Sequence, residues 1–333
     1  MLSLALWMSI VVAARSNAVV SDDAYIHSQT LIDVDHGRRL NLYCLGEGSP
    51  TVVFDAGLGD STVTWGLIQS EIAVRTKTCS YDRAGLGFSD PAMRPGTSAN
   101  SAEDLHRLLR AARIAPPYIL VAHSLGGMNV RLYADRHLSE VAGMVLVDPS
   151  HEDMSRGFAI TGPDARAKWD VSLVDRRACI TTARTGFVPC TDTFKSCVPP
   201  DDAQFSPAIN ASLLQIRKLA SFQQAVFWEM ENVYDASADA VRTARRSYGD
   251  MPLIVLTRST DPKGAHQTLE QHDAMTRLKE ELHDQIASLS TRGVNRTVVD
   301  SGHYIQFNQP QVVTDAILEV LDSTRSQDAH IRK

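Results

Sequence analysis

Short, unbroken apolar runs alternate along this chain with segments of helical period, and that alternation leaves few folds open. "PYILVAHS" (117–124), "VAGMVLVDPS" (141–150) and "MPLIVLTRSTD" (251–261) are apolar at nearly every position. Strands read this way when layers cover a sheet on both sides. "RLNLYCLG" (39–46), "TVVFDAGLG" (51–59), "TKTCSYDRAGLG" (76–87) and "NRTVVDSGH" (295–303) supply further β-rich runs ended by turn residues. Helical segments lie between them. "SAEDLHRLLRAARI" (101–114) has Ser101 as N-cap and Asp104 at the capping-box position. "LGGMNVRLYADRHL" (125–138) follows the first apolar run directly, and "PQVVTDAILEVL" (310–321) opens on Pro. Strands alternating with helices predict an α/β fold with a mostly parallel, doubly wound sheet.

The alternation stops between Ser150 and Asp250. That stretch carries three cysteines, "VPP", and helix-like pieces such as "NASLLQIRKLASFQQAVFWEMENVY" (210–234). It separates two core strands, so it reads as an inserted, largely helical cap over 151–250. The core is then expected over 25–150 and 251–325. An apolar content of 44% in 333 residues suffices for a sizeable core, and a net charge of −6 gives no footprint for nucleic acid.

The first residues differ from the rest. "LSLALWMSIVVAA" (2–14) is apolar and uncharged, and Ser16 and Ala18 are small residues at the −3 and −1 positions of a cleavage site. This predicts a signal peptide over 1–18 and an exported chain, periplasmic or extracellular. The run is shorter than the roughly 20 residues a membrane helix needs, so no stable span is expected. In an oxidising compartment cysteines pair. Cys44 and Cys79 each sit on a predicted core strand, which makes a bridge between neighbouring strands the expected pairing. Of Cys179, Cys190 and Cys197, two can pair and one stays free. The alternative is five reduced, buried small side chains. No Cys/His spacing suggests zinc, and no dinucleotide fingerprint begins at the "GLG" turns, so neither metal nor organic cofactor is implied.

Ser124 stands where an apolar strand ends and a helix begins. A strand–Ser–helix turn of this kind is a nucleophile elbow. Its strained serine requires small residues two before and two after, here Ala122 and Gly126. The turn leaves the Leu125 N–H at a helix N-terminus, where an oxyanion forms in acyl transfer. A general base must come later, and His303 has the place for it, after the last strand and before the last helix. His123 more naturally shapes the elbow. His27, His36, His137, His266, His272, His283 and His330 have surface or loop settings, and His151 lies close to Asp148. The pair Asp82-Arg83 reads as a structural fixture of its loop.

The segments "DAGLGDSTVTW", "SYDRAGLGFSDP", "VAHSLGG", "VLVDPSH" and "SGHYIQFNQP" occur in the order found in one family. From about Leu31 to Leu321 the chain resembles the α/β-hydrolase superfamily, in its capped, esterase-like serine hydrolase form. The resemblance implies Ser124 as nucleophile, His303 as base, and an oxyanion hole from the backbone N–H groups of Leu125 and Leu58. Two carboxylates compete for the acid. Asp148 ends the strand after the nucleophile, as in dehalogenase-like members. Asp261 ends the next strand, the commoner place, but lies unusually far from His303 in sequence. The reading favours Asp148. Dehalogenases and epoxide hydrolases of this fold carry Asp where this chain has Ser124. The implied reaction is therefore hydrolysis of a small-molecule carboxylic ester or lactone. Carbon–carbon bond hydrolysis, perhydrolase activity, and a ligand-binding or inactive member of the same fold are the alternatives.

Overall fold

The computed structural model describes residues 18–189, 191–261, 263–264 and 267–331. Eight strands form one sheet: β1 (Thr30–Asp35), β2 (Arg38–Leu45), β3 (Thr51–Asp55), β4 (Thr78–Tyr81), β5 (Tyr118–His123), β6 (Val141–Val147), β7 (Leu253–Arg258) and β8 (Gly293–Val298). Their order is β1-β2-β4-β3-β5-β6-β7-β8. β2 pairs antiparallel with both β1 and β4, and every pairing from β4 to β8 is parallel.

Continuous apolar runs are needed because both faces are covered. Val53, Leu120, Met144 and Val255 face one core with Leu105, Leu108, Met128 and Ile286. Their strand neighbours Phe54, Val121, Val145 and Ile254 face the other, with Trp65, Ile72, Val313 and Ile317. The first core is closed by helices α2 (Ser98–Ala111) and α3 (Leu125–Arg136). The second is closed by α1 (Gln69–Ala73) and by a long C-terminal helix.

Between β6 and β7 the described residues form six α-helices: α4 (Gly157–Thr161), α5 (Ala165–Thr185), α6 (Asp192–Cys197), α7 (Pro207–Arg217), α8 (Ala220–Asn232) and α9 (Ala236–Ala244). Then come α10 (Leu269–Ala287), α11 (Ile305–Asn308) and α12 (Pro310–Ile331). The segment around Val20 packs against the inserted helices. The Val20 N–H donates to the Gln204 carbonyl, and the Ser206 N–H donates to the Val20 carbonyl, both at 2.9 Å. Val20 and Tyr25 share an apolar cluster with Ile209 and Leu213 of α7. No helix among the described residues is long and apolar enough to cross a membrane. The expected signal peptide lies outside the described residues except for Ala18.

Three expected boundaries shift. The helix expected from 101 begins at Ser98, because the Thr97 hydroxyl caps it by accepting the Asn100 N–H at 3.2 Å. Ser101 is then interior, and Asp104, expected in a capping box, instead takes the Arg38 guanidinium at 2.7 and 2.8 Å. The apolar stretch 210–234 is two helices broken at Lys218–Leu219, the first capped by Ser206 with Pro207 in its first turn. The last helix runs on to Ile331 rather than ending at 321. Cys44 and Cys79 face each other across β2 and β4 and are joined by a disulfide, and Cys179 is joined to Cys197. Cys190 lies outside the described residues.

Candidate active site

The elbow after β5 sets the site. Ser124 has φ 51° and ψ −120°, outside the basins open to most side chains. Strain of this kind costs about 1–3 kcal/mol and survives only where the surroundings over-determine it. Here they do. A Cβ at Gly126 would stand 2.6 Å from the Asp55 carbonyl oxygen, and one at Gly127 would stand 2.6 Å from the Pro149 side chain. The Ser124 N–H donates to the Val147 carbonyl at 3.2 Å, and its own carbonyl accepts the Ser150 N–H at 2.8 Å. The Leu125 N–H, at the start of α3, has no acceptor among the described residues.

His303 stands in the loop between β8 and α11. The Asn308 side chain fixes that loop by accepting the Gly302 N–H at 2.9 Å. The His303 ring reaches both neighbours: Nε2 is 3.0 Å from Ser124 Oγ, and Nδ1 is 2.5 Å from Asp148 Oδ2. A carboxylate can only accept, so Nδ1 carries the proton and Nε2 presents its lone pair to the serine hydroxyl. Asp148 follows β6 with φ 44° and is fully buried at its side chain. Burial opposes its charge. The His303 hydrogen bond and the Arg258 charge outweigh that and hold the carboxyl well below its ordinary range.

Asp261 is elsewhere engaged. Its carboxylate pairs with Arg258 and Lys279, and its carbonyl accepts from His272 Nε2 at 2.9 Å. It does not contact His303 among the described residues. Arg258 spans the two acids, pairing with Asp148 through one guanidinium nitrogen and with Asp261 through another.

The loop after β3 is held from beneath. Buried Arg83 donates to the Ala56 carbonyl at 2.7 Å and the Gly57 carbonyl at 2.6 Å, and pairs with Asp55 and Glu229 at 2.7 Å each. Glu229, from the inserted α8, also accepts the Gly59 N–H at 2.8 Å. With those groups committed, the Leu58 N–H is left without an acceptor among the described residues. Asp82 staples the same region by accepting the Thr62 N–H at 2.7 Å and the Phe88 N–H at 3.0 Å. The pair Asp82-Arg83 is thus a scaffold for the loop.

His123 is buried beside the serine. Burial pushes its pKa down to about 3, so it is neutral. Its Nε2 lies 3.0 Å from the His303 carbonyl, and its ring packs against His303 with centroids 4.5 Å apart. His283, expected in a surface or loop setting, is buried on α10. It holds the Pro149 carbonyl at 2.9 Å and Thr257 Oγ1 at 2.6 Å, which fixes the turn behind Asp148. The spacing of Leu278, Leu282, His283 and Ile286 on one helical face was the available signal. His151 lines the same cleft but is committed to Arg245 at 3.0 Å and the Asp153 N–H at 2.9 Å. The cleft, about 320 Å³, holds Ser124 and His303 among Met154, Tyr234, Leu278 and Leu282.

A family model for the alpha/beta hydrolase fold matches residues 50–171. The uncharacterized protein YqjL of Bacillus subtilis is 37% identical over 277 residues, spanning 83% of this chain and 85% of that one. The chain belongs to the α/β-hydrolase family. Solved α/β-hydrolase structures share its fold at low identity. An enol-lactonase from Burkholderia xenovorans is 16% identical with a TM-score of 0.57, covering 87% of this chain and 99% of that one. An esterase from Thermogutta terrifontis is 20% identical with a TM-score of 0.56, covering 89% and 98%. A Pseudomonas aeruginosa protein named as a candidate epoxide hydrolase is 17% identical with a TM-score of 0.63, covering 89% and 96%.

Proposed function

We propose that this α/β-hydrolase is an exported serine hydrolase cleaving a carboxylic ester or lactone through an acyl-enzyme. One observation carries the reading: an elbow serine, Ser124, 3.0 Å from His303 Nε2, with Asp148 2.5 Å from the opposite ring nitrogen. His303 takes the hydroxyl proton as Ser124 Oγ attacks the carbonyl carbon, and Asp148 stabilises the imidazolium that forms. The carbonyl oxygen becomes an oxyanion, for which the Leu125 and Leu58 N–H groups are the open donors. One such donor is worth about 10²–10³ in turnover elsewhere. His303 returns the proton to the leaving alkoxide, and water drawn against the same nitrogen then releases the acid. Export is supported by the two disulfides, which persist in oxidising compartments. The esterase and lactonase among the structural neighbours are in keeping with the substrate class.

The test pairs wild type with Ser124→Ala on short p-nitrophenyl esters and with a fluorophosphonate probe. Wild type is expected to turn over the ester and take up the probe at Ser124. The variant is expected to lose both while keeping its circular dichroism. Near wild-type hydrolysis by the variant overturns the nucleophile. A wild-type chain that neither hydrolyses nor takes up probe belongs with ligand-binding members of the fold.

A further inference from the structure

A second cavity, of about 340 Å³, lies between the loop Leu58–Asp60 and the inserted helices α7 and α8. It adjoins the proposed active site, because its wall includes Leu58 and also Tyr304, the residue after His303. Most of the wall is apolar, with Phe205, Phe222 and Val226 prominent, yet two arginines, Arg176 and Arg217, line it as well.

Those arginines, both half-buried, differ from the buried arginines elsewhere. Arg38 pairs with Asp104, Arg83 with Asp55 and Glu229, and Arg131 with Glu152. Arg217 makes no side-chain hydrogen bond or ion pair among the described residues. Arg176 touches only neutral acceptors, the Gln223 amide oxygen at 3.1 Å and the Cys197 carbonyl at 3.3 Å. Burial weakens the hold of both guanidinium groups on their protons. Both are nonetheless built in. Gln223 is fully buried, and its amide nitrogen donates to the Arg217 carbonyl at 2.6 Å and the Cys197 carbonyl at 3.1 Å. Cys197 is tied to α5 through Cys179, one turn from Arg176. Acids share the cavity wall, but no carboxylate among the described residues pairs with either guanidinium, which leaves their N–H donors open to an anion.

We propose that this cavity is a subsite for a carboxylate carried by the substrate, with Arg217 as its principal ligand and Arg176 beside it. This rests on the serine hydrolase reading and narrows its substrate to esters or lactones with a second, anionic end. A guanidinium matches a carboxylate with two parallel N–H donors. Arg217 is the last residue of α7, where the helix dipole is negative, and Asp60 and Asp202 share the cavity wall. That field disfavours the double charge that phosphate concentrates on one group more than the single charge of a carboxylate end. Neither acid is within ion-pair distance of either arginine. Asp202 accepts the Gln204 N–H at 2.9 Å, and Asp60 is pushed up to about 6 by burial.

The deciding measurement is kcat/KM for monomethyl adipate against methyl hexanoate, followed by pH-stat at matched ionic strength. Wild type is expected to favour the anionic ester by about 10- to 100-fold, the range for a hydrogen-bonded charge. Arg217→Gln should bring the ratio close to one, and Arg217→Lys should restore part of it. A wild-type ratio near or below one overturns the subsite, as does an unchanged ratio in Arg217→Gln. A second measurement needs neither variant nor turnover. Adipate, but not hexane-1,6-diol, should raise the wild-type melting temperature. An equal response to both compounds, or to neither, also overturns the proposal. If wild type hydrolyses neither ester yet adipate still protects it, the hydrolase reading fails and the anion site stands.

Discussion

In the proposed mechanism, the choice of the carboxylate that orients His303 rests on what else each one touches. Asp148 is buried against His303 and Arg258, whereas Asp261 is shared between Arg258 and Lys279. An Asn at the acid that faces Nδ1 keeps the shape but favours the wrong ring tautomer, which lowers turnover by about 10⁴-fold in a Ser-His-Asp enzyme. Asp148→Asn should therefore reduce kcat by roughly that factor with little change in KM. Asp261→Asn should stay within about 10-fold of wild type, since Arg258 keeps its pair with Asp148 and the Asp148–His303 contact does not involve Asp261. Steady-state kinetics on one activated ester checks both, and the reverse order would move the role to Asp261. The sequence pointed to Ser124 at the end of β5 and His303 in the loop before the last helices, and to Asp148 only as the favoured of two acids; these are the residues the proposed mechanism uses. Arg258, which separates the two acids in space, carried no pattern of its own.

At the scale of elements, the loop after β6 must be held while it carries Asp148, and α3 holds it. Arg131 of α3 and Glu152 are both fully buried and meet at 2.9 and 3.1 Å, and Arg245 adds a third member at 2.8 Å. Removing one partner of such a pair strands the other's charge and costs about 3–5 kcal/mol. Glu152→Ala should lower stability by about that amount in urea titration. Glu319→Ala, which removes the exposed partner of Arg296, should change it by about 0–1 kcal/mol. Similar losses in the two variants would mean that Glu152 does not pin the loop. The strands were legible because burial on both faces forces unbroken apolar runs. The pairs that lock them were not. Arg131 with Glu152, and Arg83 with Glu229, join residues far apart in sequence, and local periodicity says nothing about such partners. The helix start at Ser98 was misplaced for a related reason, since Thr97 and Ser101 offer equivalent hydroxyls and Asp104 is drawn away by Arg38.

Over the whole molecule, one disulfide closes within the core and the other within the insertion, and the segment around Val20 and Tyr25 packs against both parts. The position of Cys44 and Cys79 on core strands made the first pairing readable in the sequence. The second was open among three cysteines, because α5 and α6 had no expected register to bring Cys179 to Cys197. Val20 lies two residues past the expected cleavage after Ala18, and it is already buried and bonded to Gln204 and Ser206. Processing at Ala18 would leave Val19 as the first residue without disturbing that contact. Protein from the native host should therefore begin close to Val19, and non-reducing peptide mapping should recover Cys44–Cys79 and Cys179–Cys197 as linked peptides. Loss of either bridge should lower stability by about 2–4 kcal/mol through the loop it closes. Cys79, Cys179 and Cys197 are buried. Mild reductant alone should thus leave the melting temperature unchanged, whereas reductant added at partial denaturation should lower it. Free thiols at all four positions in host-derived protein would place the folded chain in a reducing compartment and remove the support for export. Free thiols at Cys179 and Cys197 alone would leave the core bridge intact but take away the tie that holds Cys197 near Arg176.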